Sequence, residues 1–259
     1  MYKNNYFYFS GPIWFHFWKG DTGWSDFTKV FQTGNNFYKP CYTDLHFCPL
    51  FQILAAVKTL KDKNVIHRDI KDENILVNLK TNNCILIDFG SGCHLGNGTL
   101  REFEGTHLYA PPEWLQKGEY SGEAATVWSL GVLLFVMING DVPFQSDQDI
   151  CKGDLRFRKH FSIGKHINKC KMQERLSKYR FSAAKELIKE CLQMDPADRL
   201  TLNEVSEHPW CKQDFTSAKS TPRHSPRKYS SPKNIYWRKL IYIYSTAELT
   251  KFYIFIRKT

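Results

Sequence analysis

The 259-residue sequence lacks any C-x-x-C pair, its eight cysteines standing at 41, 48, 84, 93, 151, 170, 191 and 211. That spacing argues against a zinc site or a disulfide framework and favours a reduced setting, cytoplasm or nucleus. Uninterrupted apolar runs of membrane-spanning length are also missing, so no transmembrane segment is expected. The aromatic beginning, MYKNNYFYFSGPIWFHFW, is broken by Ser10, Gly11, Pro12 and His16 and makes a poor signal sequence. Residues 1–48 show neither a sustained helical period nor strand punctuation, so no element is assigned there. Acidic charge is scarce overall, with a net charge of +10, but it is not scarce everywhere. Residues 51–158 carry 11 basic and 14 acidic side chains, and residues 181–215 carry 4 and 7. The excess of positive charge comes from residues 159–180, with 7 basic and 1 acidic, and residues 216–259, with 10 and 1. A nucleic-acid reading of the whole chain would therefore misplace the signal. If it applied at all, it would apply to those two segments, through salt-dependent binding.

What is present is organised around VIHRDIKDENILVNLKTNNCILIDFG, from Val65 to Gly90. Two apolar runs, Ile75 to Val77 and Cys84 to Ile87, flank a polar turn at Lys80 to Asn83 and predict a β-hairpin. The hairpin would bring Asp69, Asn74 and Asp88 to one end, beside Lys71. Three oxygen-bearing side chains next to a lysine suit Mg²⁺ and phosphate, because Mg²⁺ prefers hard oxygen ligands.

Upstream, Phe51, Leu54, Val57 and Leu60 have helical spacing. Downstream, the glycines from Gly90 to Gly105 predict a mobile surface loop. That loop ends at Gly105-Thr106, and Tyr109-Ala110-Pro111-Pro112-Glu113 starts a helix. Residues 124–138, AATVWSLGVLLFVMI, are apolar nearly all round and predict a buried core helix, being short for a membrane span. Gly140 to Phe144 predicts a turn. An amphipathic helix is expected over 181–193, a turn at Asp195 to Arg199, and a final helix holding Leu202, Val205 and Trp210.

HRDIKDENILVN, IDFGSG, EGTHLYAPPEW, VWSLGVLLFVMINGDVPF and CLQMDPADRLTLNEVSEHPW together resemble the lower lobe of serine/threonine protein kinases. The likeness is to the Pim kinases, which share the KDEN and GSG wording, PPEW in place of APE, and the lack of an aspartate at the position of Thr126. The resemblance implies a mainly α (α+β) fold, a protein-kinase-like C-terminal lobe with a short β-hairpin. It divides the chain into an atypical aromatic head at 1–50, the lobe at 51–214 with a basic insert at 160–180, and a basic, disordered tail at 215–259. A monomer is expected.

The resemblance also implies roles. Asp69 would accept or orient the proton of the attacking hydroxyl, and Lys71 would neutralise the transferring phosphoryl group. Asn74 and Asp88 would hold Mg²⁺, with ATP as the phosphoryl donor. Leu76 would form the apolar floor under adenine, and Thr106 would line the cleft near Asp69 and Lys71. His67 and Phe89 would stack as packing residues, Arg68 would be structural, and Glu113 would pair with Arg199 and fix the end of the activation loop. Glu73, Asp141 and Asp147, with Asp149, would attract protein substrates carrying basic residues near the target serine or threonine; a solvated acidic surface is the plainer alternative. Thr99 is a candidate phosphosite facing Arg68, although Glu102 and Glu104 could supply the charge instead.

Two lacks qualify this reading. No glutamate occurs before Glu73, and the glycines before the catalytic loop, at 11, 20, 23 and 34, never stand two apart. The family's Gly-rich loop and its lysine–glutamate pair therefore have no counterpart in the sequence, and Lys29 is expected to be an ordinary surface lysine. An N-terminal lobe is not recognisable, and weak or absent activity is expected. A non-catalytic binding module is the alternative.

Overall fold

The computed structural model describes residues 24–28, 49–78, 81, 83–96, 98–157, 171–212, 238–246 and 249–257. Among these the core gathers around helix α3 (Gly122–Asn139), with α1 (Pro49–Asp62) and the helix that ends at Cys191 packed against it. In α1, Leu50, Ile53, Leu54, Val57 and Leu60 are buried, which is the periodic face expected of a helix packed on one side. In α3 nearly every residue is buried, Trp128, Leu133, Leu134 and Met137 among them. It is long and apolar enough to cross a membrane, yet 89% of that stretch is buried within the protein, as a core helix requires. Gly140 ends α3 in the left-handed conformation (φ 75°) that a helix-stopping glycine favours.

The expected hairpin is present. Strand β3 (Ile75–Asn78) pairs antiparallel with β4 (Cys84–Leu86), with Ile75 opposite Leu86 and Val77 opposite Cys84. An unexpected third strand, β1 (Trp24–Asp26), lies along the other edge of β3, with Asp26 opposite Leu76. Its successor Phe27 is fully buried in the main core. So the head, to which no element was assigned, contributes one short strand and one core side chain. The rest of residues 1–48 lies outside the described residues.

The glycine-rich segment is anchored at several points. Strand β5 (Cys93–His94) pairs with β2 (Val65–Ile66), and Leu100 bridges Tyr120. Gly105 lies so close to the Arg68 carbonyl that a Cβ there would sit 2.3 Å from its oxygen, which only glycine tolerates. Helix α2 (Pro112–Lys117) follows, and α4 (Asp147–Lys152) is capped by Ser146, which accepts from the Asp149 amide.

Helix α5 runs from Lys171 to Cys191 and crosses α3 closely, since a Cβ on Gly131 would come within 2.7 Å of the Cys191 Cβ. The expected start at 181 is thus ten residues late. Residues 171–180, read as part of a basic inserted loop, contain no glycine or proline and are rich in lysine, arginine, glutamine and glutamate, all good helix formers. The remainder of the insert, with 158–170 as a whole, lies outside the described residues. The final helix divides into α6 (Leu202–Glu207), opened by a Thr201/Glu204 capping box, and α7 (Pro209–Lys212). Pro209 forces the break, because it cannot continue a helix.

In the tail, β6 (Arg238–Thr246) and β7 (Leu249–Arg257) pair antiparallel over nine registered residue pairs. Both strands fall within the segment expected to be a disordered tail. β6 carries two isoleucines and two tyrosines, and β7 two isoleucines, two phenylalanines and a tyrosine, residue types that favour a pleated surface. Residues 213–237 lie outside the described residues.

Candidate active site

Two devices bring the polar residues of the 65–90 stretch together. The Ile87 amide donates to the Asn74 carbonyl at 2.9 Å, which ties the far end of the hairpin to the loop before it. His67 is buried between them. Its Nε2 lies 3.0 Å from the Ile87 carbonyl and its Nδ1 accepts from the Asp69 amide at 3.3 Å, so the network assigns the proton to Nε2. Its ring meets Phe89 edge to face at 4.6 Å. Burial drives the His67 pKa down to about 4, against weaker upward pulls from the Ile87 carbonyl and the nearby aspartates. It is therefore neutral at physiological pH, a packing residue rather than an acid or base.

Asp69 is the most heavily bonded side chain of the group. One carboxylate oxygen accepts from the Thr106 amide at 2.9 Å and from its hydroxyl at 2.7 Å. The other accepts from Asn74 Nδ2 at 2.8 Å and faces Lys71 Nζ at 3.1 Å. Burial alone would raise its pKa, but the Thr106 bonds, the Lys71 ammonium and Asn74 overcome it and hold the carboxyl below the usual range. Lys71 also donates to the Thr106 hydroxyl at 2.6 Å and pairs with Glu73 at 3.2 Å. Burial works against its charge, yet the two carboxylates raise its pKa on balance. The result is an ionised aspartate and an ionised lysine joined through one threonine hydroxyl.

Asp88 adopts a left-handed backbone (φ 62°) and accepts the Gly90 amide at 3.2 Å, which leaves one carboxylate oxygen without a bond from that turn. Asn74 uses its Nδ2 on the Asp69 carbonyl and carboxylate, leaving its Oδ1 for a cation. Both are hard oxygen donors of the kind Mg²⁺ takes, alongside water and phosphate. Among the described residues no cluster of three or more His, Cys, Asp or Glu side chains could hold a metal alone. Leu76, the expected adenine floor, is buried on β3.

The flanking residues fall as follows. Arg68, also left-handed (φ 66°), donates through Nε to the Ser91 carbonyl and through Nη1 to the Glu102 carbonyl, two of its five N–H groups. Glu113 and Arg199 form a bidentate pair at 2.9 Å. Thr126 turns its hydroxyl to the Gly122 carbonyl at 2.7 Å. Of the acidic residues, Glu73 is held by Lys71. Asp141 accepts from the Val142 amide at 2.9 Å, Asp149 accepts from Ser146 at 2.8 Å, and Asp147 meets His107 Nε2 at 2.6 Å.

Sequence reasoning missed two contacts here. The Tyr109 hydroxyl donates to Asp72 at 3.0 Å and ties the segment before α2 to the turn at 67–74. Burial raises the pKa of both partners. Their only signal was position, since each lies inside a recognised motif. The His107–Asp147 pair was equally silent, joining residues 40 apart with no pattern in common.

Comparison with known proteins gives this geometry a context. The protein kinase domain family matches residues 45–211. Serine/threonine-protein kinase pim-2 of Danio rerio is 42% identical over 161 residues, 62% of this chain and 46% of that protein. Serine/threonine-protein kinase prk-2 of Caenorhabditis elegans is 37% identical over 180 residues, 70% of this chain and 37% of that protein. The Aurora kinase of Dictyostelium discoideum is 38% identical over 167 residues, 62% and 38% respectively. The chain therefore spans less than half the length of these relatives. With a family match over most of the chain and relatives of this kind, the chain belongs to the serine/threonine protein kinases and is similar to their Pim members.

Proposed function

We propose that the chain transfers the γ-phosphoryl group of ATP to serine or threonine hydroxyls of protein substrates with basic flanking residues. The observation that carries this reading is the Asp69 carboxylate, ionised and aimed by Thr106, Asn74 and Lys71. A carboxylate of low proton affinity is suited to orient the substrate hydroxyl and to take its proton late, when the oxygen is already bonding to phosphorus. Lys71 would neutralise charge on the transferring group, and Thr106 would fix the distance between lysine and aspartate. Asn74 and Asp88 would hold Mg²⁺, and Leu76 would pack beneath adenine. Bound Mg·ATP supplies the phosphoryl group and the positive charge that stabilises its leaving oxygens. Glu73, Asp141 and Asp147 would draw basic side chains of the substrate toward the site. We assign this work to a lobe over residues 51–214.

A second reading, a non-catalytic docking module presenting the same lobe, is favoured by the lack of any glutamate in residues 1–72. The family pairs its ATP-holding lysine with one, and losing a preorganised electrostatic donor typically costs about 10²–10³ in rate. Calorimetric titration of the full chain with ATP, with and without Mg²⁺, separates the two. The kinase reading expects Mg²⁺-dependent binding that Asp88→Asn weakens at least tenfold. No binding of Mg·ATP would leave the docking module.

A further inference from the structure

We propose that His107 is a specificity-determining residue that occupies the Asp147 carboxylate when no substrate is bound and must be displaced by an incoming basic side chain. The inference rests on the reading of Asp147 as a contact for basic substrates. His107 follows Thr106, whose amide and hydroxyl both bind Asp69, so its position is fixed one residue from the centre of the site. Its imidazole Nε2 lies 2.6 Å from an Asp147 oxygen, in the first turn of α4. Trp114 meets the imidazole edge-on at 6.2 Å, and Phe103 stacks on Trp114 at 4.8 Å, which limits where the ring can go.

The two partners remain accessible. Their side chains are 57% and 53% exposed, so an arriving side chain can reach the pair without opening the core. The chemistry favours displacement. An imidazole offers Asp147 one N–H, whereas a guanidinium offers a planar fork that binds both oxygens of a carboxylate. Exposed ion pairs are weak, so the competition is correspondingly mild, on the order of two- to fivefold in affinity. A contact of this strength tunes which basic side chain is accepted without blocking the site.

The test is fluorescence anisotropy with the full chain and a labelled serine peptide carrying three arginines before the serine, at one pH and ionic strength. His107→Gln should tighten binding by about two- to fivefold, the scale of an exposed pair, and His107→Arg, a permanent cation, should weaken it. Both effects should vanish in an Asp147→Asn background, which itself binds less tightly. If Asp147→Asn weakens binding but His107→Gln leaves it unchanged, the inference is overturned and the reading of Asp147 stands. If Asp147→Asn leaves binding unchanged, that reading is overturned and the inference with it.

Discussion

Arg199 reaches Glu113, 86 positions earlier, with two hydrogen bonds of 2.9 Å, one to each carboxylate oxygen. The Arg199 side chain is fully buried, donates further to the Gln193 and Ala124 carbonyls, and lies 5.0 Å from the Trp128 ring centre. The pair fixes the start of α2, and with it the segment from Thr106 to Ala110 that reaches Asp69.

Because both charges are buried, removing one leaves the other without compensation. Glu113→Ala and Arg199→Ala are each expected to destabilise the protein by about 3–5 kcal/mol. The double variant should cost clearly less than the sum, since it strands no charge. Urea unfolding of the three variants checks this; additive losses would mean the two residues act independently.

Thr106→Val should separate two contributions of one hydroxyl. It keeps the side-chain shape but removes the hydroxyl's bonds to Asp69 and Lys71, costing about 1.5–3 kcal/mol as hydrogen bonds to charged groups do. The sign of its pH dependence follows from Asp69. A carboxyl whose folded pKa is depressed gives stability that is present above its unfolded pKa and lost as pH falls through the folded one. The variant should raise the folded pKa and so reduce the stability lost on the acid side. Unfolding free energies measured from pH 7 down to pH 3 would show an unchanged acid limb if Thr106 does not set the state of Asp69.

His67 makes a separate prediction at higher pH. Its folded pKa is near 4 against 6.5 for the free side chain, so between these values the unfolded chain binds more protons than the folded one. Stability must then rise with pH across that window and be lost on acidification, by an amount on the order of 3 kcal/mol. His67→Phe, which cannot titrate, should flatten the slope between pH 4 and 6.5. A slope identical to that of the parent chain would place the titrating group elsewhere.

Much of this architecture was legible because the signals are local. The alternation through Ile75 to Ile87 gives the hairpin, and the even apolarity of residues 124–138 gives the central helix. The polar residues at 67–74 and 88–90 stand out against those runs and carry the family resemblance. Other features were hidden for physical reasons. β1 has three residues, Trp-Ser-Asp, too few for a period, and its partner Leu76 lies 50 positions on. The first half of α5 was masked by its charge, which describes solvation rather than backbone. The Tyr109–Asp72 and His107–Asp147 contacts depend on how the segment before α2 lies against the 67–74 turn and α4, and pairing across such a fold leaves no mark in sequence.

In the proposed reaction the role of Asp69 is to accept the substrate proton during phosphoryl transfer. Its most direct test is transfer of radiolabelled γ-phosphate from Mg·ATP to an arginine-flanked serine peptide by the purified full chain, beside Asp69→Asn. The expected result is weak transfer by the parent chain that falls by about 10²–10⁴ in the variant, the usual worth of a positioned base. Equal transfer by the two proteins would contradict it.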